Sequence, residues 1–366
     1  MTRVVFLCYY DCRAIWELTR HTPRQTIASV SLVEAGAIRH FRSDYNLIKK
    51  NPKIFKPSSE LVELLETRNL TIFNKKWAIK ILDYENYYYV INGYNKIFLN
   101  TTNPEDQYKT GSTFNEIIAL YTFDRTLREK LLIELLRVEH VIKTRIVHIF
   151  SKYHGHDHTS YLCAKSFNIT SDVNKRRAES LIADMNKLIY AKTKTHGSVK
   201  HYFNNYGYVP LWVLAKVMTF GKLNSFYSCM RNEEKQEVAE AFGLRAKEFK
   251  GIIDFIAKLR NKCAHGERIY CHSKDTPIPR PIPHLKEHDL LEIPINASGS
   301  RPYGTQDILA LLIVLRYFLS PTRYNNLLKK IDYSLHKKLA FRLHSINVSV
   351  VKNAMGLNCD WLKLRL

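Results

Sequence analysis

Acidic residues are scarce in this chain. Asp and Glu number 34 against 56 Lys and Arg in 366 residues, a formal charge of +22 with histidine neutral. Such a balance excludes an acidic solvating protein, and its self-repulsion calls for a polyanionic partner: RNA, DNA or an anionic membrane surface. Glycine (13) and proline (12) are too few for a low-complexity or collagen-like chain, while 45% hydrophobic and 25% charged residues are ordinary for a globular one. The seven cysteines are odd in number, irregularly spaced and without a repeated C-x-x-C, which argues against a disulfide framework and for the reducing cytoplasm. Long apolar runs are missing too. The longest aliphatic stretch, Ile308 to Leu315, has eight residues where a bilayer span needs about twenty, and the opening Met1 to Asp11 has no clean cleavage site, so neither a membrane span nor a signal peptide is expected. Finally, no G-x-x-x-x-G-K-S/T, G-x-G-x-x-G, H-E-x-x-H or G-x-S-x-G occurs, which removes phosphate-loop, dinucleotide, zincin and hydrolase-elbow chemistry.

What is present reads as helix. Residues 1–50 show no sustained period and form an N-terminal extension; 51–110 are a helical lead-in with the tyrosine-rich segment Tyr84, Tyr87, Tyr88, Tyr89 and Tyr94, side chains that stack on bases or pack between domains. From Phe114 to Tyr153, apolar residues recur at three and four with neither Pro nor Gly, which predicts one long helix stopped by Gly155. Further amphipathic helices are expected over Arg176 to Lys192, Leu211 to Met230 and Glu233 to Phe242, the last closed by Gly243, then over Lys247 to Ala264, Thr305 to Leu319 and Pro321 to Leu339. Between them, 273–304 holds six prolines and reads as loop or extended structure. With no strand-rich region and no repeat, the class is all-α, a multi-helix domain over 111–366 behind a smaller helical N-terminal region.

Chemistry concentrates at the end of the fifth of these helices. In Lys258-Leu259-Arg260-Asn261-Lys262-Cys263-Ala264-His265-Gly266, Arg260 is the only arginine in the chain followed by a histidine, His265, at a separation of five, six or seven positions. A guanidinium is a planar, permanently charged fork for phosphate, and an imidazole suits proton transfer near neutrality, a combination fit for phosphodiester cleavage. Five positions on an ideal helix point about 140° apart, so the two converge only if the helix unwinds between them, near Gly266. A purely structural reading is equally open: Arg260 pairs with Asp254 or Glu267, and His265 answers the helix dipole. A Cys263–His265 nucleophilic pair is disfavoured, because neighbours two apart face different ways. His154, His156, Asp157 and His158 have metal-ligand chemistry, but consecutive residues beyond a helix end do not close a site unaided, and no metal or other cofactor is expected.

Arg-Asn-x-Cys-Ala-His-x-x-Arg resembles the R-x4-6-H motif of the HEPN superfamily, in the form carried by bacterial abortive-infection proteins of the AbiD and AbiF type. The resemblance spans roughly 57–366 through Tyr87-Tyr88-Tyr89 and Gly93-Tyr94, Leu120-Tyr121-x-Phe123-Asp124-Arg125-x-Leu127-Arg128, Glu139 with Arg145, Pro210-Leu211-Trp212, Thr219-Phe220-Gly221-Lys222-Leu223 and Met355-Gly356-Leu357-x-x-x-Trp361. It implies a HEPN-type helical domain and a cytoplasmic, metal-free endoribonuclease in phage defence. In that chemistry the ribose 2′-OH attacks phosphorus and leaves a 2′,3′-cyclic phosphate. The resemblance makes His265 the acid/base, Arg260 the phosphate stabiliser and Asn261 a positioning residue. Arg125, Arg128, Arg145, Lys262 and Arg268 then stand as RNA-binding cations, with buried pairing of Arg125 and Arg128 to Glu134 or Glu139 as the alternative. Implied partners are substrate RNA, a restraining structured noncoding RNA and a second copy of the chain supplying a second motif; the other reading is a noncatalytic RNA-binding or antitoxin-like protein.

Overall fold

Two short amphipathic helices, α1 (Ser58–Thr67) and α2 (Lys75–Glu85), lead the computed structural model, which describes residues 54–100, 106–271 and 281–366. The extension expected over 1–50 lies outside the described residues, as do Pro277 and Pro279 of the proline-rich segment. Ser58–Leu366 constitute one compact unit. Among the described residues there is no strand; isolated bridges join Thr71 to Thr113 and Leu99 to Tyr108. The all-α class expected from the pattern is the class observed. No helix of the described residues is long and apolar enough to cross a membrane.

The stretch free of glycine and proline is a single helix, α3 (Phe114–His154), 41 residues long and so about 60 Å at 1.5 Å per residue. Thr113 and Glu116 close a capping box at its start, and Gly155, at φ +76°, ends it. Its apolar stripe is fully withdrawn from water: Ile117, Leu120, Leu131, Leu135, Val138, Ile142 and Ile146 expose no measurable surface. Glu116 has a second use. Its Oε1 accepts from the amides of His344 and Ser345, both at 2.7 Å, which fastens the C-terminal segment to the head of α3.

Around this axis stand α4 (Asp172–Thr195), α5 (Gly197–Tyr206), α6 (Leu211–Leu214), α7 (Phe220–Cys229), α8 (Asn232–Glu240) and α9 (Ala246–Ala264). The helix expected over Leu211 to Met230 is broken between α6 and α7. Thr219 causes the break, its hydroxyl capturing the Lys222 amide as a new N-cap, while the Met218 carbonyl accepts from Lys143 of α3 at 2.7 Å. The proline-rich segment is not wholly loop, since α10 (Lys286–Leu290) forms between Pro283 and Pro294, where no proline interrupts it. Next come α11 (Ile308–Leu315), buried on every side, and α12 (Pro321–Tyr333), continued to Leu339 by a π turn.

Asp307 caps α11, accepting from Gly304 (2.7 Å) and Ala310 (2.9 Å). Gly356 lies over that carboxylate at φ +78°, where a Cβ would collide with it. This explains the glycine in Met355-Gly356-Leu357. Gly356→Ala should cost about 2 kcal/mol or more, from left-handed strain plus the disturbed cap, whereas Gly207→Ala, at φ +76° in open space, should cost about 1 kcal/mol. Urea unfolding of both variants reads the difference; equal losses would remove the Asp307 contact as the reason.

Candidate active site

Helix α9 buries Phe249, Ile252, Ile253, Phe255, Ile256, Leu259 and Cys263, packing along α3. It stops at His265 because Gly266 takes φ +72°. The Gly266 amide then donates to the Cys263 carbonyl (3.3 Å) and the Glu267 amide to that of Lys262 (3.0 Å), the paired bonds of a Schellman closure. Unwinding therefore begins after His265 and not between it and Arg260; the His265 amide still bonds the Asn261 carbonyl at 2.9 Å.

The two motif side chains consequently point apart. Arg260 Nε donates to Glu139 Oε2 at 3.0 Å and its Nη1 to Asn261 Oδ1 at 3.2 Å. Glu139, itself buried on α3, holds Lys143 at 3.0 Å with its other oxygen. Neither carboxylate considered from the sequence takes Arg260: Asp254 pairs with Lys250 at 2.6 Å, and Glu267 stands 3.7 Å from Lys262. His265 is exposed and opens on a different feature, a cleft of about 670 Å³ that Arg260 does not line.

That cleft runs between the end of α2, the π turn Tyr88–Asn92, α3 and the end of α9. The tyrosines divide by role. Tyr94 is buried and stacks on Tyr270 with centroids 5.8 Å apart, while Tyr84, Tyr88 and Tyr89 remain 81%, 68% and 65% exposed along the rim. Of the basic residues singled out in the sequence, Arg125, Arg128, Lys262 and Arg268 line the cleft beside His265. Arg125 is paired with Glu85 (3.2 Å), whose other oxygen accepts from Tyr121. Arg145 lies elsewhere, reaching the Glu237 carbonyl at 3.5 Å.

One buried group holds this arrangement. Asp124, wholly withdrawn from solvent, accepts from Arg128 Nη1 (2.5 Å), the Tyr94 hydroxyl (2.6 Å) and the amides of Tyr270 (2.8 Å) and Ile269 (3.3 Å). It thus joins the lead-in, α3 and the chain just beyond His265. Arg128 pairs with Asp124 and not with Glu134 or Glu139, because the i,i+4 carboxylate shares its face of α3. Burial pushes the Asp124 carboxyl up; Arg128 foremost, then Tyr94 and the two amides, pull against it. Asp124 was legible only as part of a motif. The available signal was its spacing of four from Arg128.

Cys263 is no nucleophile here, since burial pushes its thiol up to about 12. Two histidines at and just past the end of α3 serve the fold: His154 Nε2 meets Glu234 Oε1 at 2.6 Å, and His158 Nδ1 accepts from the Val209 amide at 3.2 Å. Among the described residues no cluster of three or more His, Cys, Asp or Glu side chains is arranged for a metal.

The family described as Abi-like protein matches residues 80–271, the stretch that holds the exposed tyrosines, α3 and the whole of α9. Neither curated proteins nor solved structures give a match. Asp124→Asn should cost about 3–5 kcal/mol in urea unfolding, because it strands the Arg128 charge in the interior. The amides of Ile269 and Tyr270 should lose hydrogen-exchange protection at the same time. Unchanged exchange at those two positions would show that Asp124 does not hold the segment beyond His265.

Proposed function

The chain belongs to the Abi-like protein family, a membership that supports a role in abortive infection, and we propose that it acts as a metal-independent endoribonuclease of HEPN type. The observation that carries this reading is His265, an exposed imidazole at a helix end, set in a cleft with Arg128, Lys262 and Arg268 and rimmed by exposed tyrosines. Bases have faces to stack on there and phosphates have permanent cations to meet. In the proposed reaction the 2′-hydroxyl oxygen attacks the adjacent phosphorus, and the P–O5′ bond breaks. A 2′,3′-cyclic phosphate and a free 5′-hydroxyl result. His265 exchanges the proton, taking it from the 2′-OH or giving it to the departing 5′-oxygen, and a guanidinium stabilises the charge that grows on the phosphoryl oxygens.

Arg260 bears on assembly. Held by Glu139 on another face of α9, it does not reach the His265 cleft of its own chain, so the proposed site is completed by a second copy across a twofold axis. The same pairing favours the second reading, a noncatalytic RNA-binding protein in which Arg260 only ties α9 to α3. We further propose that the protein works in the cytoplasm and that a bound structured RNA restrains it.

His265→Ala should lower cleavage of RNA by about 10² to 10⁴-fold, with RNA binding and the melting temperature near wild type because the residue is exposed. Cleavage products with 2′,3′-cyclic ends and full activity in EDTA are expected of the unmutated protein. Wild-type cleavage by purified His265→Ala protein sinks the catalytic assignment, and a fully active monomer by solution mass measurement sinks the composite site.

A further inference from the structure

At the opposite end of α9 from His265 lies a larger cavity, about 1160 Å³, between α4, α7, α8 and α9. Lys247, in the first turn of α9, lines it; eighteen residues at 1.5 Å each separate it from His265 by about 27 Å along the helix. Among the described residues five cations line the walls against a single carboxylate, Asp184, which Lys222 engages at 3.1 Å. Lys250 is held by Asp254. The remaining three, Arg177, Lys235 and Lys247, make no side-chain hydrogen bond or ion pair with any described residue. This contrasts with the His265 cleft, where Arg125, Arg128 and Lys262 are each matched by a protein carboxylate.

Two further properties narrow the ligand. Residues of the first turns of α4, α7, α8 and α9 line the cavity, four positive helix ends against the one negative end that Ser228 and Cys229 bring from α7. Among the described residues Tyr227 is the only aromatic side chain on the walls, and it is fully buried, so none of them offers an exposed ring to a base. Hydroxyls and amides such as Asn168, Thr170, Ser180 and Ser225 share the rest with Leu181, Cys229 and Ala246. Phosphate and ribose 2′-OH groups suit such a surface, and a base-paired RNA presents those groups while hiding its base faces. Lys235 fits the same pattern: burial pulls its ammonium below the usual lysine value, and a phosphate nearby would act in the opposite direction.

We propose that this cavity is a second RNA site, which grips the sugar–phosphate backbone of a base-paired segment and anchors it out of reach of His265. The inference rests on RNA being the partner, as above, but not on His265 performing chemistry. Its test uses the full chain carrying His265→Ala, titrated with a labelled blunt RNA duplex of about 20 base pairs over a range of salt. Adding Arg177→Gln and Lys247→Gln should weaken duplex binding about tenfold or more at physiological salt and make the slope of log K against log salt shallower by about two. The same pair in the unmutated background should leave cleavage of a short unpaired oligonucleotide unchanged, because neither residue lines the His265 cleft. Charge-reversed Arg177→Glu with Lys247→Glu should deepen the loss, and circular dichroism checks that both pairs fold. Duplex binding with unaltered affinity and slope overturns the proposal. So does displacement of the duplex by an equimolar mononucleotide, which would assign the cavity to a small phosphate ligand. Should the protein prove not to cleave RNA at all, the duplex titration still reads this site by itself.

Discussion

The buried Asp124 carboxylate is the contact on which the geometry around His265 depends. A carboxylate without solvent is costly unless it is paired and hydrogen-bonded on all sides, and this one is, by a guanidinium, a phenol and two backbone amides. Its partners come from three separated stretches of chain: Tyr94 ahead of α3, Arg128 on α3, and Ile269 with Tyr270 just after α9. The chain leaving His265 therefore has a fixed destination. Gly266 turns it back, and four residues later it is bonded to Asp124, in the first third of the longest described helix. An exposed imidazole on a loose tail would have no defined surroundings; here both ends of its short segment are tied, by the Schellman bonds on one side and by Asp124 on the other.

The same logic organises the rest of the scarce acid. Glu116, Asp124, Glu139, Glu234, Glu287 and Asp307 are all buried, and each is satisfied inside the fold, by amides, by Arg128, Arg260 or Arg316, or by His154. Carboxylates used as internal fasteners are not available to neutralise the exterior. The basic excess of the described residues is consequently borne by the surface, and part of it stands without a matching acid at Arg177, Lys235 and Lys247. The distribution of acid, more than the number of basic residues, decides where a polyanion finds unmatched charge.

Much of the fold was legible because helical period is a strong signal over long stretches. The α3 stripe from Phe114 to Tyr153 and the stop at Gly155 are read directly, as is the end of α9 at Gly266. Boundaries set by single side chains were not: Thr219 breaks the expected helix by capturing the Lys222 amide, and α10 forms between prolines that mark only its borders. The His265 region was legible as a motif but not as a geometry. Spacing gives the 140° between Arg260 and His265, yet whether the helix unwinds between them depends on Cys263 and Leu259 being buried, and which carboxylate holds Arg260 depends on how α9 packs along α3. The tyrosines show the same limit, since a cluster in sequence divides in space into a buried stacking partner, Tyr94, and an exposed rim.

Helix α9 links these observations. Its apolar face is locked against α3, and both ends are closed, Arg245 and Glu248 at the start and Gly266 at the finish. It is a rigid rod about 28 Å long, from its residue count and 1.5 Å rise, and what it carries at its two ends cannot slide together. One end offers an imidazole among exposed rings and carboxylate-matched cations; the other offers unmatched cations among hydroxyls and amides. An RNA engaging both would have to be long enough, and shaped differently enough along its length, to present unpaired bases at one end and backbone alone at the other. Arg260, on a third face and bound to Glu139, takes part in neither, so whatever brings it to a phosphate must first compete with that carboxylate. A partner copy supplying fresh charge across an axis meets that condition without disturbing α9, whereas freeing Arg260 within one chain would leave Glu139 with only Lys143 to offset its burial.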